Sequence, residues 1–503
     1  MEWSIIIDGL FTALEPMNMV WLIFGALLGT IVGILPGLGP ATGVAVLIPL
    51  TFGMNPVSAL ILMSSIYYGA LFGGSRSSIL INTPGDGSSI AATFDGYPMT
   101  LKGQAGQAMS IAAMASLFGG IMAIFGFIFL AIPLAQFALN FGPAEYFMLF
   151  LFTLSAVVAL STGKMIKGFV AMFAGLAIST VGIDLQSGVH RFTFGVPHFT
   201  DGINFIVIII GIYALGEVLY NMFPKKKGQQ PKNDQAIGSK WFTKEQWKRS
   251  LGPIFRSGPL GFFLGVLPGS GGTISSLLAY STEKQLSKRK DEFGKGAVEG
   301  LVAPESANSS AAVGSLIPML TMGIPGSGTT AVMLGALVMI GITPGPLLFE
   351  NSPDLVWTLI NSMFIGNLIL VIINILMVGM LIKVLRTPAN VLYPIVLVLS
   401  FIGAYTLGYS TIDFYLLIIA GLIGLLMRVL DYPVAPLILA LIVGGEMEQN
   451  MRRASIIYES PQAIFFASPI ATTLFFLTLL SLSYPLILKL FKWRKGTGTG
   501  ASM

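Results

Sequence analysis

The sequence predicts an all-α polytopic membrane protein of about 12 transmembrane segments, at roughly 20 residues per span, with broken or re-entrant helices in two inverted repeats. Three observations lead there. The 503 residues are 54% hydrophobic and only 10% charged, where a soluble globular chain carries about 25% charged residues. Apolar segments recur almost without a break. Four Pro-Gly-x-Gly elements stand in two matched pairs. A disordered chain would be apolar-poor, and a disulfide scaffold is excluded by the absence of cysteine. The net charge of +5 sits in loops rather than on one amphipathic face, so nucleic acid is not an expected partner.

Residues 1–15 contain no Lys or Arg, so the positive region of a cleaved signal is missing. Their acids alternate with apolar residues, which reads as a short interfacial helix. Apolar segments then follow at 17–35, 56–72, 108–139, 146–160, 166–181 and 203–222. After a polar gap come 260–267, 316–339, 355–385, 391–407, 414–430, 434–443 and 464–490. Several are too short or too interrupted by Gly and Pro to be simple spans. Such breaks are tolerated in a bilayer only where the backbone is buried in protein or faces a polar cavity.

The linker at 223–256 holds nine of the 28 basic residues, among them Lys225, Lys226, Lys227, Arg249 and Arg256. A second basic cluster runs from Lys284 to Lys295, and a third from Lys489 to Lys495. The positive-inside rule makes all three cytoplasmic. Residues 1–75 carry no Lys or Arg. The expected organisation is an N-terminal membrane repeat at 1–222, the basic cytoplasmic linker at 223–256, a C-terminal membrane repeat at 257–491 and a cytoplasmic tail at 492–503. The N-terminus is expected outside and the C-terminus in the cytoplasm.

The Pro-Gly-x-Gly elements begin at Pro36, Pro84, Pro268 and Pro325. Their flanks match as well. Gly33-Ile34-Leu35-Pro36-Gly37 reads like Gly265-Val266-Leu267-Pro268-Gly269, and the run from Asn82 to Ser89 reads like that from Gly323 to Thr330. This is a duplicated half. One copy enters the membrane from a side without basic residues and the other from the Lys-rich linker, so the repeat is expected to be inverted, as is common in secondary transporters.

Proline removes an amide donor and glycine permits left-handed backbone. Together they uncover backbone groups at membrane depth. Half-helix N-termini attract carboxylates, and unwound carbonyls and hydroxyls coordinate Na⁺. The expected substrate-binding residues are Ser75, Arg76, Ser88, Ser89, Gly326, Ser327, Thr329 and Thr330. The expected cation ligands are Asn82, Asp86, Asn308 and Ser309. The expected hinges are Pro36, Gly37, Pro84, Gly85, Pro268, Gly269, Pro325 and Gly326. Arg76, Asp86 and Glu305 are functional candidates if they lie at depth, where an ionisable residue costs about 2.5–3.5 kcal/mol. The alternatives are a snorkelling Arg76, a turn aspartate at Asp86 and a helix cap at Glu305. Gly25, Gly29 and Gly33 read as a helix-packing stripe.

No P-loop and no His-Glu-x-x-His occurs. Pro84-Gly85-Asp86 lacks the earlier glycine of an intramembrane aspartyl protease. The chain is therefore read as a non-enzyme without a cofactor and with no metal beyond Na⁺.

The stretches 33–40 with Pro49, 68–87, 95–99, 265–280, 293–296, 303–308, 323–330 and 341–346 resemble the large membrane subunit of the tripartite tricarboxylate transporters, TctA-like permeases. The match runs in order along nearly the whole chain. The resemblance implies a secondary transporter in the bacterial cytoplasmic (inner) membrane, driven by a Na⁺ or H⁺ gradient, with an elevator-like movement. It implies a small membrane subunit (TctB-like), an extracytoplasmic solute-binding protein (TctC-like) and a small carboxylate substrate such as a tricarboxylate. The alternative is a stand-alone ion-coupled symporter or channel without a binding protein.

Overall fold

A computed structural model describes residues 3–35, 37–161, 165–184, 187–222, 239, 241–269, 271–376, 389–458 and 462–496, with the backbone alone at 389–392 and 484–496. The protein is all-α and polytopic. Its one sheet among the described residues is a two-stranded ribbon, β1 (Gly182–Ile183) and β2 (His190–Arg191). Among the described residues, seven helices are long and apolar enough to cross a membrane. These are α2 (Pro16–Ile34), α4 (Pro56–Ile81), α6 (Ala105–Ala138), α7 (Pro143–Leu160), α9 (Phe205–Met222), α14 (Pro353–Leu376) and α16 (Ile412–Val429). Around them in chain order stand α1 (Trp3–Leu14), α3 (Pro40–Leu47), α5 (Ile90–Leu101), α8 (Met165–Ser179), α10 (Lys244–Val266), α11 (Gly271–Leu286), α12 (Val298–Met322), α13 (Gly328–Met339), α15 (Ala389–Gly408), α17 (Val434–Tyr458) and α18 (Pro469–Gly496).

The segment 316–339 is divided at its Pro325-Gly326 element into the end of α12 and the whole of α13. One reading of the apolar segments changes. The short segment 260–267 is the end of the 23-residue α10, which starts at Lys244 inside the basic stretch. Its start is set by Thr243, whose side chain accepts from the Gln246 amide in a capping box. Most of the basic stretch, 223–238 with Lys240, lies outside the described residues, as do 377–388 and 497–503.

By compactness the chain forms two units, residues 1–138 with 206–426, and residues 139–205 with 427–503. The first unit is built on two helix pairs, α2 with α4 and α10 with α12. Glycine sets how close each pair comes. A Cβ on Gly25 would stand 2.8 Å from the Leu62 carbonyl oxygen, and one on Gly33 would overlap that of Ala70. Gly261 and Gly265 face the carbonyls of Ala307 and Ala311 in the same way. Helices in lipid associate by such packing of small residues, because the tails are as apolar as leucine. The inner helices α4 and α12 are almost wholly buried, polar residues included. A cluster of Ile79, Met99, Ile111, Ile254 and Leu301 then ties α4, α5, α6, α10 and α12 into one core.

The loop before α12 is fixed to α5 by one carboxylate. Asp95 accepts from the amides of Gly294 (2.9 Å), Gly296 (2.7 Å) and Ala297 (2.7 Å) and from the Tyr280 hydroxyl (3.1 Å). Turning successive amides toward one oxygen needs left-handed backbone at Gly294 and Gly296 (φ +80° and +100°).

In the second unit α7, α17 and α18 share the apolar residues Phe147, Met148, Ala454, Ile464 and Ala471. Beside the ribbon, Arg191 and Arg452 alternate with Asp184 and Glu448 in a closed ring, with Arg452 2.7 Å from Asp184 and both arginines 2.6 Å from Glu448. Arg191 closes the ring on Asp184 at 3.6 Å. Burial pushes the Glu448 carboxyl up, but the hydrogen bonds from Arg191 and Arg452 outweigh it and hold the group below the usual glutamate value.

Two outcomes follow for stability. Gly33→Ala is expected to destabilise by about 1–3 kcal/mol or more, because its methyl group meets a backbone carbonyl that cannot move aside. Gly445→Ala, with nothing within 4 Å of the added carbon, is expected to be neutral or to gain up to about 1 kcal/mol of helix propensity. Thermal unfolding in detergent compares them, and a Gly33→Ala protein that melts with the wild type contradicts the packing. The Glu448 ring has its own pH signature. A carboxyl depressed on folding stabilises above its unfolded pKa of about 4.3, and that stabilisation is lost as pH falls through the lower folded value. The melting difference between wild type and Glu448→Gln should be present at pH 7 and shrink as pH falls below about 4.

Candidate functional site

The four Pro-Gly-x-Gly elements each end one helix and begin another. Leu35 and Leu267, the residues before the first and third prolines, take extended backbone (ψ 120° and 124°), as proline demands of its predecessor. Their amides still close the last turns, on Val32 and Leu264. Gly37 and Gly269 follow at φ +89° and +80°. Pro36, expected as a hinge, lies outside the described residues, as does Ser270.

The second and fourth elements repeat one another at a constant spacing of 241 residues. Asn82 and Gly323 cap α4 and α12 in the left-handed conformation (φ 56° and 71°), which asparagine and glycine tolerate best. Asp86 and Ser327 are extended N-caps at the start of the next helical segments. Each backbone amide is met by the hydroxyl three residues on, Asp86 by Ser89 at 3.3 Å and Ser327 by Thr330 at 2.8 Å. Ser327 in return accepts from the Thr330 amide at 3.2 Å. Ser88 donates to the Asp86 carboxylate at 2.8 Å. Gly85 is pressed against the Gly33 carbonyl and the Cα of Gly74, while Gly326 would meet the Cα of Ser315 at 2.9 Å and the Gly265 carbonyl at 3.0 Å. Each turn thus folds back onto its own helix pair. In the second pair the Gly269 amide also donates to the Gly326 carbonyl at 3.0 Å.

The start of α11 brings the halves together. A Cβ on Gly272 would overlap Oδ1 of Asn308 and stand 2.9 Å from the Cβ of Ser88; one on Gly271 would lie 3.9 Å from the Cβ of Ser327. A Cβ on Gly87 would stand 2.6 Å from the Thr273 hydroxyl, and one on Gly328 2.8 Å from the Tyr213 hydroxyl. Ser88, Asn308 and Ser327 therefore gather around one helix N-terminus. Asn308 is buried and its Oδ1 has no hydrogen-bond partner. A helix N-terminus offers free amides to an anion, and an unpartnered amide oxygen suits a hard cation or a water.

The other expected residues fall as follows. Ser89, Gly326, Thr329 and Thr330 are buried within these turns, Ser309 is buried next to Asn308 inside α12, and Asn82 is exposed as the cap of α4. Ser75 and Arg76 belong to a different cluster inside the helix bundle. Ser75 donates to both oxygens of Glu305 (2.7 and 2.8 Å), and Ser116 donates to Glu305 at 3.1 Å. Arg76 is only 1% exposed, so it does not snorkel. Its Nε donates to Asn374 (3.0 Å) and its Nη1 to the Met109 carbonyl (2.8 Å). Glu305 lies inside α12, seven residues after its first residue, and so does not cap it.

Sequence reading missed Gly272, Thr273, Ser116, Asn374 and the stacked pair Tyr67 and Tyr68, whose ring centroids are 5.6 Å apart. Tyr67 meets Ser315 at 3.4 Å. Two tyrosines and an asparagine within otherwise apolar runs were the available signal. Gly272→Ala places a methyl group in the gap between Asn308 and Ser88. It is expected to lower transport by about tenfold or more while costing no more than the 1–3 kcal/mol of an overpacked site. Uptake and thermal unfolding measured on the same preparation check this, and wild-type uptake would show that the gap is not used.

Comparison with known proteins agrees with the resemblance seen in the motifs. The chain is 43% identical over 471 residues to an uncharacterized 52.8 kDa protein of the TAR-I ttuC′ 3′ region of Agrobacterium vitis, covering 93% of this chain and 92% of that protein. It is 42% identical over 214 residues to an uncharacterized protein of the TAR-II ttuC′ 3′ region of the same organism, covering 42% of this chain and 88% of that protein. No solved structure matches. The model of the Tripartite tricarboxylate transporter TctA family matches residues 19–439, a stretch that contains all four Pro-Gly-x-Gly turns. With that match and its multiple membrane helices, the chain belongs to the TctA family, the permeases of tripartite tricarboxylate transporters.

Proposed function

We propose that this protein is the permease subunit of a solute-binding-protein-dependent secondary transporter that imports a small carboxylate, tricarboxylates included, with Na⁺ or H⁺ coupling. The observation that carries the reading is the meeting of Ser88, Asn308 and Ser327 at the N-terminus of α11. The substrate carboxylates meet backbone amides and hydroxyls of the turns 84–89 and 325–330. A coupling cation sits against the unpartnered Oδ1 of Asn308 and the Asp86 carboxylate. In this reading Ser75 and Arg76 support the site from within the bundle rather than touching substrate.

The two copies enter the membrane from opposite sides, with the N-terminus outside and the C-terminus in the cytoplasm of a bacterial inner membrane. The charge asymmetry supports this, with no basic residue before Arg76 and clusters at 284–295 and 489–495. Two broken-helix hairpins facing each other suit an elevator-like movement of the unit that carries them. The partners are a small membrane subunit and an extracytoplasmic solute-binding protein, as the family's tripartite name implies.

The test is uptake into proteoliposomes holding this chain and the small membrane subunit. Accumulation is expected only with the binding protein outside and with an inward Na⁺ or proton gradient. Asp86→Asn and Asn308→Ala should each reduce it by about tenfold, since losing a charge-assisted interaction in a buried site costs about 1.5–3 kcal/mol. Uptake indifferent to both gradients removes ion coupling, and full uptake without the binding protein favours a stand-alone carrier.

A further inference from the structure

The ribbon of the second unit ends in an unusual loop. Phe192 and Phe194 both take left-handed backbone (φ 51° and 49°), a conformation that costs a bulky residue about 1–3 kcal/mol. The strain does not hide the rings: Phe194 is 84% exposed, Phe192 62% and nearby Val189 59%. Thr193 between the two is buried, so two exposed rings flank an anchored residue.

The loop is braced from behind. The Ile183 amide donates to the Thr200 carbonyl at 3.0 Å and the Val196 amide to the Thr193 carbonyl at 2.9 Å. Arg191, directly before Phe192, is locked into the ring with Glu448, Arg452 and Asp184. Four charged groups in one ring belong in water or at its edge, because desolvating them costs more than their attraction returns. The base of the loop is therefore held at or beyond the polar edge of the membrane.

Contacts within this unit also give the side of the membrane. The basic end of α18, Lys489 to Lys495, is cytoplasmic by the positive-inside rule, so its start at Pro469 lies on the opposite face. Ala454 of α17 and Ala471 of α18 share one apolar cluster, which puts the end of α17 on that outer face. Arg452 then holds Asp184 and the ribbon there. At the other end, Lys167 near the start of α8 donates to the Leu430 carbonyl at 2.6 Å and lies over the Tyr432 ring. Lys167 and Arg428 both belong to that end, as expected for the cytoplasmic face.

We propose that the loop of Val189, Phe192 and Phe194 is the docking epitope for the extracytoplasmic solute-binding protein. Exposed aromatic anchors backed by arginines are the composition of interface hot spots. Rings held in place before contact lose little freedom on binding, which favours affinity. The matching surface on the partner is an apolar recess that takes two phenyl rings. This rests on the proposed function in needing a binding protein at all.

The experiment uses the chain reconstituted with its small membrane subunit, and the system's own substrate-loaded binding protein added outside. In Phe192→Ser/Phe194→Ser the binding-protein concentration for half-maximal uptake is expected to rise at least tenfold, with the rate at saturation unchanged. An unchanged half-saturation overturns the docking site, and so does a fall in the saturated rate alone. A second readout is independent of uptake. The chain has no cysteine, so Phe194→Cys carries a single environment-sensitive maleimide dye. Adding binding protein should shift its emission. An emission already shifted by the liposome and unmoved by binding protein would make the loop a lipid contact and overturn the proposal. If wild-type uptake never depends on binding protein, the proposed function falls together with the docking site. A dependence that survives the double variant removes the docking site alone.

Discussion

Everything in the first unit depends on two helix pairs that touch backbone to backbone. Where α2 meets α4 and α10 meets α12, no room remains for a side chain at the crossing. Helices so close cannot slide by small steps, since each carbonyl of one sits against a glycine of the other. The pairs therefore act as rigid struts, and the turns at their ends inherit that rigidity. Gly85 and Gly326 rest on the carbonyls of Gly33 and Gly265, so the geometry of each turn is dictated by the strut beneath it.

This ordering explains how irregular backbone persists in a hydrophobic setting. Each unwound segment would leave amides and carbonyls without partners in lipid. Here the caps on Leu35, Asn82, Leu267 and Gly323 close helix ends internally, and the Ser89 and Thr330 hydroxyls answer the N-cap amides of Asp86 and Ser327. Beside the turns, Asn308, next to Gly272, keeps an unanswered oxygen.

The fold class was legible because long apolar runs with so little charge between them are at home only in a bilayer. The turns were legible because Pro and Gly act through local backbone rules, which sequence carries directly. Helix ends were less so: 260–267 looked short because its helix begins among charged residues at Lys244, which an apolar pattern does not register. The side-chain grouping was legible only in part. Ser88, Asn308 and Ser327 lie far apart in sequence and meet because α11 starts between them, and sequence does not state which helix start lies near which turn. Arg76 and Glu305 were marked by their cost in a membrane, but their partners Asn374 and Ser116 are ordinary residues in apolar helices. The strained Phe192 and Phe194 gave no signal, since phenylalanine does not announce left-handed backbone.

The caps of the two copies share a backbone but not a residue. Asp86 with Ser89 in one copy and Ser327 with Thr330 in the other hold the same extended N-cap and the same reciprocal bonds. The scaffold requires an oxygen at those places and is indifferent to the group that bears it. One turn carries a carboxylate at that place and the other a hydroxyl. A shared backbone with unlike groups at its caps lets charge and size differ at those two places without loss of architecture.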